Sequence, residues 1–137
     1  MNDDLKIVIV IDSTLGIGLS ANRAAVLATG LTAHVPNMIG PDINTKDGKT
    51  LLGITQIPIP ILASRSDTSF LSLANRSEGL GCKVILFLTR AQGLRSYDEY
   101  MDSVSQVNFD ELDIDAIAIY GDTKAVTKIT GNLPTLR

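Results

Sequence analysis

Three stretches of the chain are almost purely apolar and rich in β-branched residues. The first, 5–12, reads LKIVIVID and is broken only by Lys6; the second, 82–89, reads CKVILFLT; the third, 114–120, reads IDAIAIY. Such runs suit strands covered on both faces. Between them the apolar spacing changes to that of helices. The stretch 20–33 sets Ala21, Ala24, Ala25 and Ala28 beside Val26, Leu27 and Leu31. Small side chains let a helix axis lie near a sheet, so this helix is placed in the middle of the domain. Asp67 is a suitable N-cap for a second helix reaching Gly79, with Phe70, Leu71 and Ala74 on one face. Ser96-x-x-Glu99 is a capping box opening a third, with Tyr97, Tyr100, Met101 and Val104 at helical spacing. Asp122 can cap a short fourth helix, with Val126 and Ile129 inward and Gly131 at its C′ end.

The polar intervals say how these pieces connect. The turn 13–19 carries Gly16 and Gly18, two positions free to take a positive φ and let the backbone approach something closely. The interval 34–49 reads as a long irregular surface excursion, with turn signals at Gly40-Pro41-Asp42 and Lys46-Asp47-Gly48. In 51–63 (LLGITQIPIPILA), Pro58 and Pro60 cannot donate to a ladder, so a strand there lies at an edge or starts only after Pro60. The stretch 108–115 reads as an acidic loop and the tail 132–137 as an extended strap. The expected fold class is α/β: a three-layer α/β/α sandwich around a mixed sheet of about four strands, the proline-rich one running antiparallel to the rest. The 137 residues are expected to form a single domain, 1–137.

Composition narrows the chemistry. Aromatics make up only 4% of the chain with no Trp, so the core must be aliphatic. A net charge of −3 weighs against binding to phosphate backbones, and so against tRNA as a partner without excluding it. The seven acidic residues from Asp98 to Asp115 read as a solvated face. Lys124, Lys128, Arg137, Arg90 and Arg95 are the place an acidic partner would approach. The lone Cys82 forms no intrachain disulfide and reads as a buried small hydrophobe. One histidine, His34, and one cysteine make no ordinary zinc set, so no metal and no cofactor is expected. The acidic start lacks the basic region of a signal peptide, and no apolar run approaches a membrane span. A cytoplasmic protein without membrane contact is the expectation.

Candidate site residues gather around the glycine turn. Gly16-Ile17-Gly18 invites comparison with a dinucleotide fingerprint, but its third place holds Ala21 and no acidic residue ends a second strand. An anion or carbonyl group at the helix start suits this turn better. The expected small-molecule or anionic-ligand rim comprises Gly16, Gly18, Ser20, Asn22 and Arg23 from this corner. Thr55 joins them from the proline-rich stretch, and Gly121 and Lys124 from the region after the last strand. Asp12, at the end of the first strand, is the candidate general base, with Arg23 its charge stabiliser.

Two stretches carry a resemblance. KIVIVIDSTLGIGLSANRAAVLATGL, 6–31, resembles the opening strand, loop and helix of peptidyl-tRNA hydrolase II, and IYGDTKAVTKITGNLPTLR, 119–137, looks like that family's closing segment. The whole chain looks more closely like a bacterial family of unknown function sharing that fold. Its cues include Gly16, Gly18, Ala21-Asn22, Gly30-Leu31, Ile39-Gly40-Pro41-Asp42, Gly53-Ile54-Thr55, Pro58, Tyr97, Tyr100, Gly121 and the Leu-Pro-x-Leu-Arg ending. The resemblance implies the peptidyl-tRNA-hydrolase-II-like fold. It does not bring the hydrolase's chemistry with it. The hydrolase's lysine, glutamine and histidine positions fall at Leu19, Arg23 and Val26. Leu19 cannot act as acid, base or electrophile, and Arg23 can only stabilise charge. A ligand-binding module is the first expectation. A diverged hydrolase of an aminoacyl or peptidyl ester or amide is the alternative, and a subunit working as a homodimer the third.

Overall fold

The computed structural model describes residues 4–137. Its centre is a four-stranded mixed sheet in the order β4-β1-β6-β5. The three apolar runs form β1 (Leu5–Ile11), β5 (Lys83–Leu88) and β6 (Ile114–Asp122). β1 is paired along both edges, parallel to β4 (Ile61–Ala63) and antiparallel to β6. β5 pairs antiparallel to β6, so β6 is the odd strand and the proline-rich β4 runs with β1. This corrects the expected orientation. Strand direction depends on how far the connections reach, and Pro60 constrains only where β4 can begin.

Side chains alternate across the sheet. Ile7, Ile9, Ile11, Ala116, Ala118 and Phe87 face one side; Val8, Val10, Ile117 and Ile119 face the other. α1 (Ile17–His34) lies over the first side, where the small Ala116 and Ala118 leave room for it. Gly30 lets it approach β5, because a Cβ there would sit 3.1 Å from Ile85 Cδ1. The helix buries Ser20, Arg23, Leu27 and Leu31, while Ala21 and Ala25 face solvent. It is therefore a covering helix rather than one enclosed on all sides. α2 (Phe70–Gly79) and α4 (Thr123–Thr130) together close the opposite side through Leu73, Ala74, Val126 and Ile129. α3 (Tyr97–Ser105) contributes no buried residue.

The caps correct some expectations and support others. Ser69, not Asp67, caps α2, its hydroxyl accepting from the Ser72 N–H. Ser96 caps α3 by accepting from Glu99 N–H, but the Glu99 carboxylate accepts from Arg95 N–H, one residue before the box. Asp122 accepts from the Lys124 and Ala125 N–H groups. Gly131 ends α4 at φ −63°, without a left-handed turn.

The interval after α1 is more ordered than its turn signals imply. β2 (Ile43–Asn44) and β3 (Thr50–Leu51) form an antiparallel arm whose register carries on to an Ile39–Thr55 bridge. Gly53 is obligatory there, since a Cβ would fall on the Gly40 carbonyl oxygen. The tail lies along β4: Ala63 N–H donates to Pro134 O and Leu136 N–H to Ile61 O. The strap thus covers one edge of the sheet. Among the described residues no strand covers the outer edge of β5. No helix among them is long and apolar enough to cross a membrane.

Candidate functional site: a groove beside a buried ion pair

On α1, the row Ser20–Arg23–Leu27–Leu31 repeats at spacings of three and four, so Arg23 stands in a core position. Its residue exposure is 1%. The guanidinium stacks on Phe87, with Cζ 4.1 Å from the ring centroid. It grips Asp115 side-on: Nε to Oδ1 at 3.1 Å and Nη2 to Oδ2 at 2.9 Å. Asp115 is the second residue of β6, and its backbone carbonyl accepts from Asp12 N–H just beyond the end of β1. Thr89 Oγ1 also donates to Oδ2 at 3.2 Å. Arg23 further donates from Nη2 to Gln92 Oε1 at 2.8 Å and from Nη1 to Asn22 Oδ1 at 3.2 Å. A charge pair buried this deeply persists only with such complete hydrogen bonding.

This corrects the sequence reading twice. Asp115 is not part of a solvated acidic face, and Arg23 is not an open cation at the rim. The signal that could have found the pair was Arg23 sharing a helical row with two leucines, which requires a buried partner.

Beside the pair runs an open groove of about 990 Å³, between the exposed flank of α1, the outer part of β5 and the start of α3. Its apolar wall is Leu19, Val26, Ile85, Phe87 and Leu94; its polar wall includes Asn22, Arg23, Gln92 and Arg95. Gln92 is placed there by a 3-10 turn, Thr89–Gly93, that follows β5 directly. Arg90 in the same turn ties it to α3 by donating from Nη1 to the Ser103 carbonyl and hydroxyl, both at 3.2 Å. Tyr97 and Tyr100 close one end, with their rings 5.7 Å apart. Burial, reinforced by Tyr97, pushes the Tyr100 hydroxyl above its ordinary pKa, while Arg90 opposes the shift.

The expected rim does not assemble. Gly16 and Gly18 have φ outside the positive region and nothing within 4 Å of an added Cβ, so neither conformation nor close approach requires them. Ser20 is buried, its hydroxyl directed to Leu15 O at 3.5 Å. Thr55 lies past the opposite end of α1, where its hydroxyl donates to Ile57 O. Gly121 lies in the last residues of β6 and Lys124 just past them, where β6 pairs with the start of β1 rather than its end. Gly121 is there for packing: a Cβ would sit 2.9 Å from Cys82 Sγ. The same distribution divides the expected basic patch, since Lys124 and Arg95 lie at different ends of the sheet. Of the candidates, only Asn22 and Arg23 line the groove.

Asp12 lines a smaller cleft of about 370 Å³ with Thr89, Asp113 and Asp115. Its Oδ1 accepts from Thr14 N–H at 2.9 Å and Thr14 Oγ1 at 2.8 Å, which caps the turn after β1. Among the described residues no three His, Cys, Asp or Glu side chains gather as a metal site.

A family model described as "Protein of unknown function (DUF2000)" matches residues 5–137. Among solved structures, a protein of unknown function, Atu0240, from Agrobacterium tumefaciens strain C58 superposes with a TM-score of 0.86 over 98% of each chain, at 20% identity. At that identity the likeness concerns the fold alone. No curated protein matches the chain.

Proposed function

We propose, for a chain that belongs to the DUF2000 family of proteins of unknown function, that it is a small-ligand-binding module whose seat is the groove between α1 and β5. The observation that carries this reading is the groove itself: apolar for most of its length, open to solvent, and bordered at one point by a fixed polar group, the Arg23–Asp115 pair. Ligand seats combine an apolar lining with a few oriented polar groups in this way. The reading keeps the chain as a single domain of the peptidyl-tRNA-hydrolase-II-like type acting in the cytoplasm. The open edge of β5 is the place where two copies would pair.

A diverged hydrolase is the second reading, and the cleft at Asp12 is the observation in its favour. There Thr14 occupies Oδ1 of Asp12, which leaves Oδ2 to accept a proton from water or substrate. Binding in the larger groove needs no general base and is preferred.

The test is a thermal-shift screen of anionic, cationic and neutral amphiphiles, run on the wild type and on Val26→Trp. Val26 is 45% exposed on the groove wall, so Trp fills the groove without disturbing the core. Ligands should raise the wild-type melting temperature through linkage and leave the variant unmoved. Equal shifts in both proteins would place binding elsewhere.

A further inference from the structure

Arginine offers five N–H donors and no acceptor. Four of those of Arg23 are engaged, two by Asp115, one by Gln92 and one by Asn22. A donor-only neighbour leaves an amide one orientation, with its oxygen toward the guanidinium. Asn22 Nδ2 and Gln92 Nε2 are thereby turned away from Arg23, and among the described residues neither has a partner. Both residues are exposed and line the groove. The wall adds Arg95 and contains no Asp or Glu, the Glu99 carboxylate that holds the Arg95 backbone N–H lying outside it, although the chain has 15 acidic residues and a net charge of −3. Asp115 neutralises Arg23 from behind. The permanent charge left over is the one cation of Arg95. Along α1 the groove extends from Asn22 to His34, about 18 Å at the helical rise.

On the reading that this groove is a ligand seat, we infer that its ligand is an elongated apolar molecule ending in one carboxylate. The head meets Asn22, Gln92 and Arg95, and the body follows Val26 and Ile85 toward His34. A carboxylate accepts and does not donate, as these donors require. An ammonium would set donors against donors. A phosphate monoester, carrying nearly two charges, would leave one of them unmatched.

The test uses three probes with one chain and different heads: decanoate, decylamine and decanol. Binding to the full chain is followed by calorimetry and by amide shifts of α1 and β5. Decanoate should bind at least tenfold more tightly than either of the others, since hydrogen bonds to a charged group are worth about that or more. Asn22→Asp and Gln92→Glu each keep an oxygen facing Arg23, so both variants retain the fold, yet each replaces a free NH₂ with a carboxylate oxygen. Each should weaken decanoate about tenfold or more and strengthen decylamine. Equal binding of all three probes, or decanoate binding unchanged in both variants, overturns the carboxylate assignment while leaving the groove as a seat. Binding of none of the probes, with no shift in α1 or β5, removes the seat itself.

Discussion

The two faces of the sheet are closed by unequal amounts of chain. Over one, α2 and α4 together seal Val8, Val10, Ile117 and Ile119. The buried hydroxyls there turn back on their own helices: Ser77 donates to Leu73 O at 2.6 Å and Thr130 to Val126 O at 2.8 Å. Over the other, α1 is the only helix among the described residues; its Ser20 hydroxyl stays local, directed to Leu15 O, but Arg23 reaches outward. Arg23 joins α1 to β6, to the turn after β5 and to Asn22 on the groove wall. On the face closed by two helices, these polar atoms are satisfied locally. On the face closed by one helix, Arg23 bridges between elements, and the bridge ends where the cover ends. That is why the polar groups of the candidate site and the open groove coincide.

Removing the bridge should separate the two faces most. Arg23→Met leaves Asp115 buried without a counter-charge, and stability should fall by about 3–5 kcal/mol. Adding Asp115→Leu should recover most of that, because an apolar pair carries no desolvation penalty. Ser77→Ala, on the sealed face, removes one local hydrogen bond and should cost about 1 kcal/mol. Urea-denaturation midpoints measure all three. A single variant at position 23 no weaker than Ser77→Ala would mean that the pair is not what couples α1 to β6.

The strands of the sealed core were plain in the sequence, because β1, β5 and β6 are apolar on both faces over lengths only a strand uses. The corner was not. Arg23 and Asp115 are 92 positions apart, and the acidic residues before Asp115 made it look like one of a solvated run. The direction of β6 was equally hidden, and with it the separation of Gly121 and Lys124 from Asn22. Gly16 and Gly18 drew notice as glycines, although the structure asks nothing of their missing side chains. Gly53 and Gly121, where a Cβ would collide, stood out less. Steric need for glycine comes from a neighbour distant in sequence, and motif spacing carries no information about it.

A smaller effect separates the faces by pH. Burial raises the pKa of Cys82 on the sealed side, with Asp122 adding to the shift, and burial first raises that of Tyr100 beside the groove. A folded-state pKa above the unfolded value means that the folded chain holds its proton longer. The associated stability is full below the unfolded values, 9.0 for the thiol and 10.0 for the phenol, and is lost as pH rises through the folded ones. The urea midpoint should therefore drop as pH rises past the unfolded values and through the higher folded ones. Cys82→Ala and Tyr100→Phe should each shrink the drop. Ligand bound over Tyr100 should delay the phenol's titration, read from its ultraviolet absorbance, and leave the thiol unaffected.

The smallest expected effect distinguishes the two places a ligand could sit at this end of α1. Gly18 lies in the first turn of the helix with open space around an added Cβ. Gly18→Ala should stabilise the protein by about 0.4–1 kcal/mol, by restricting the unfolded chain and improving helix propensity. If the bare backbone of the glycine turn were the binding surface, that methyl group would stand in the ligand's way. If the groove is the seat, a decanoate-induced rise in melting temperature should survive Gly18→Ala intact and vanish in Val26→Trp. The two residues share one helix and lie two turns apart, so the pair of variants compares the polar helix start with its apolar flank while the rest of the molecule stays the same.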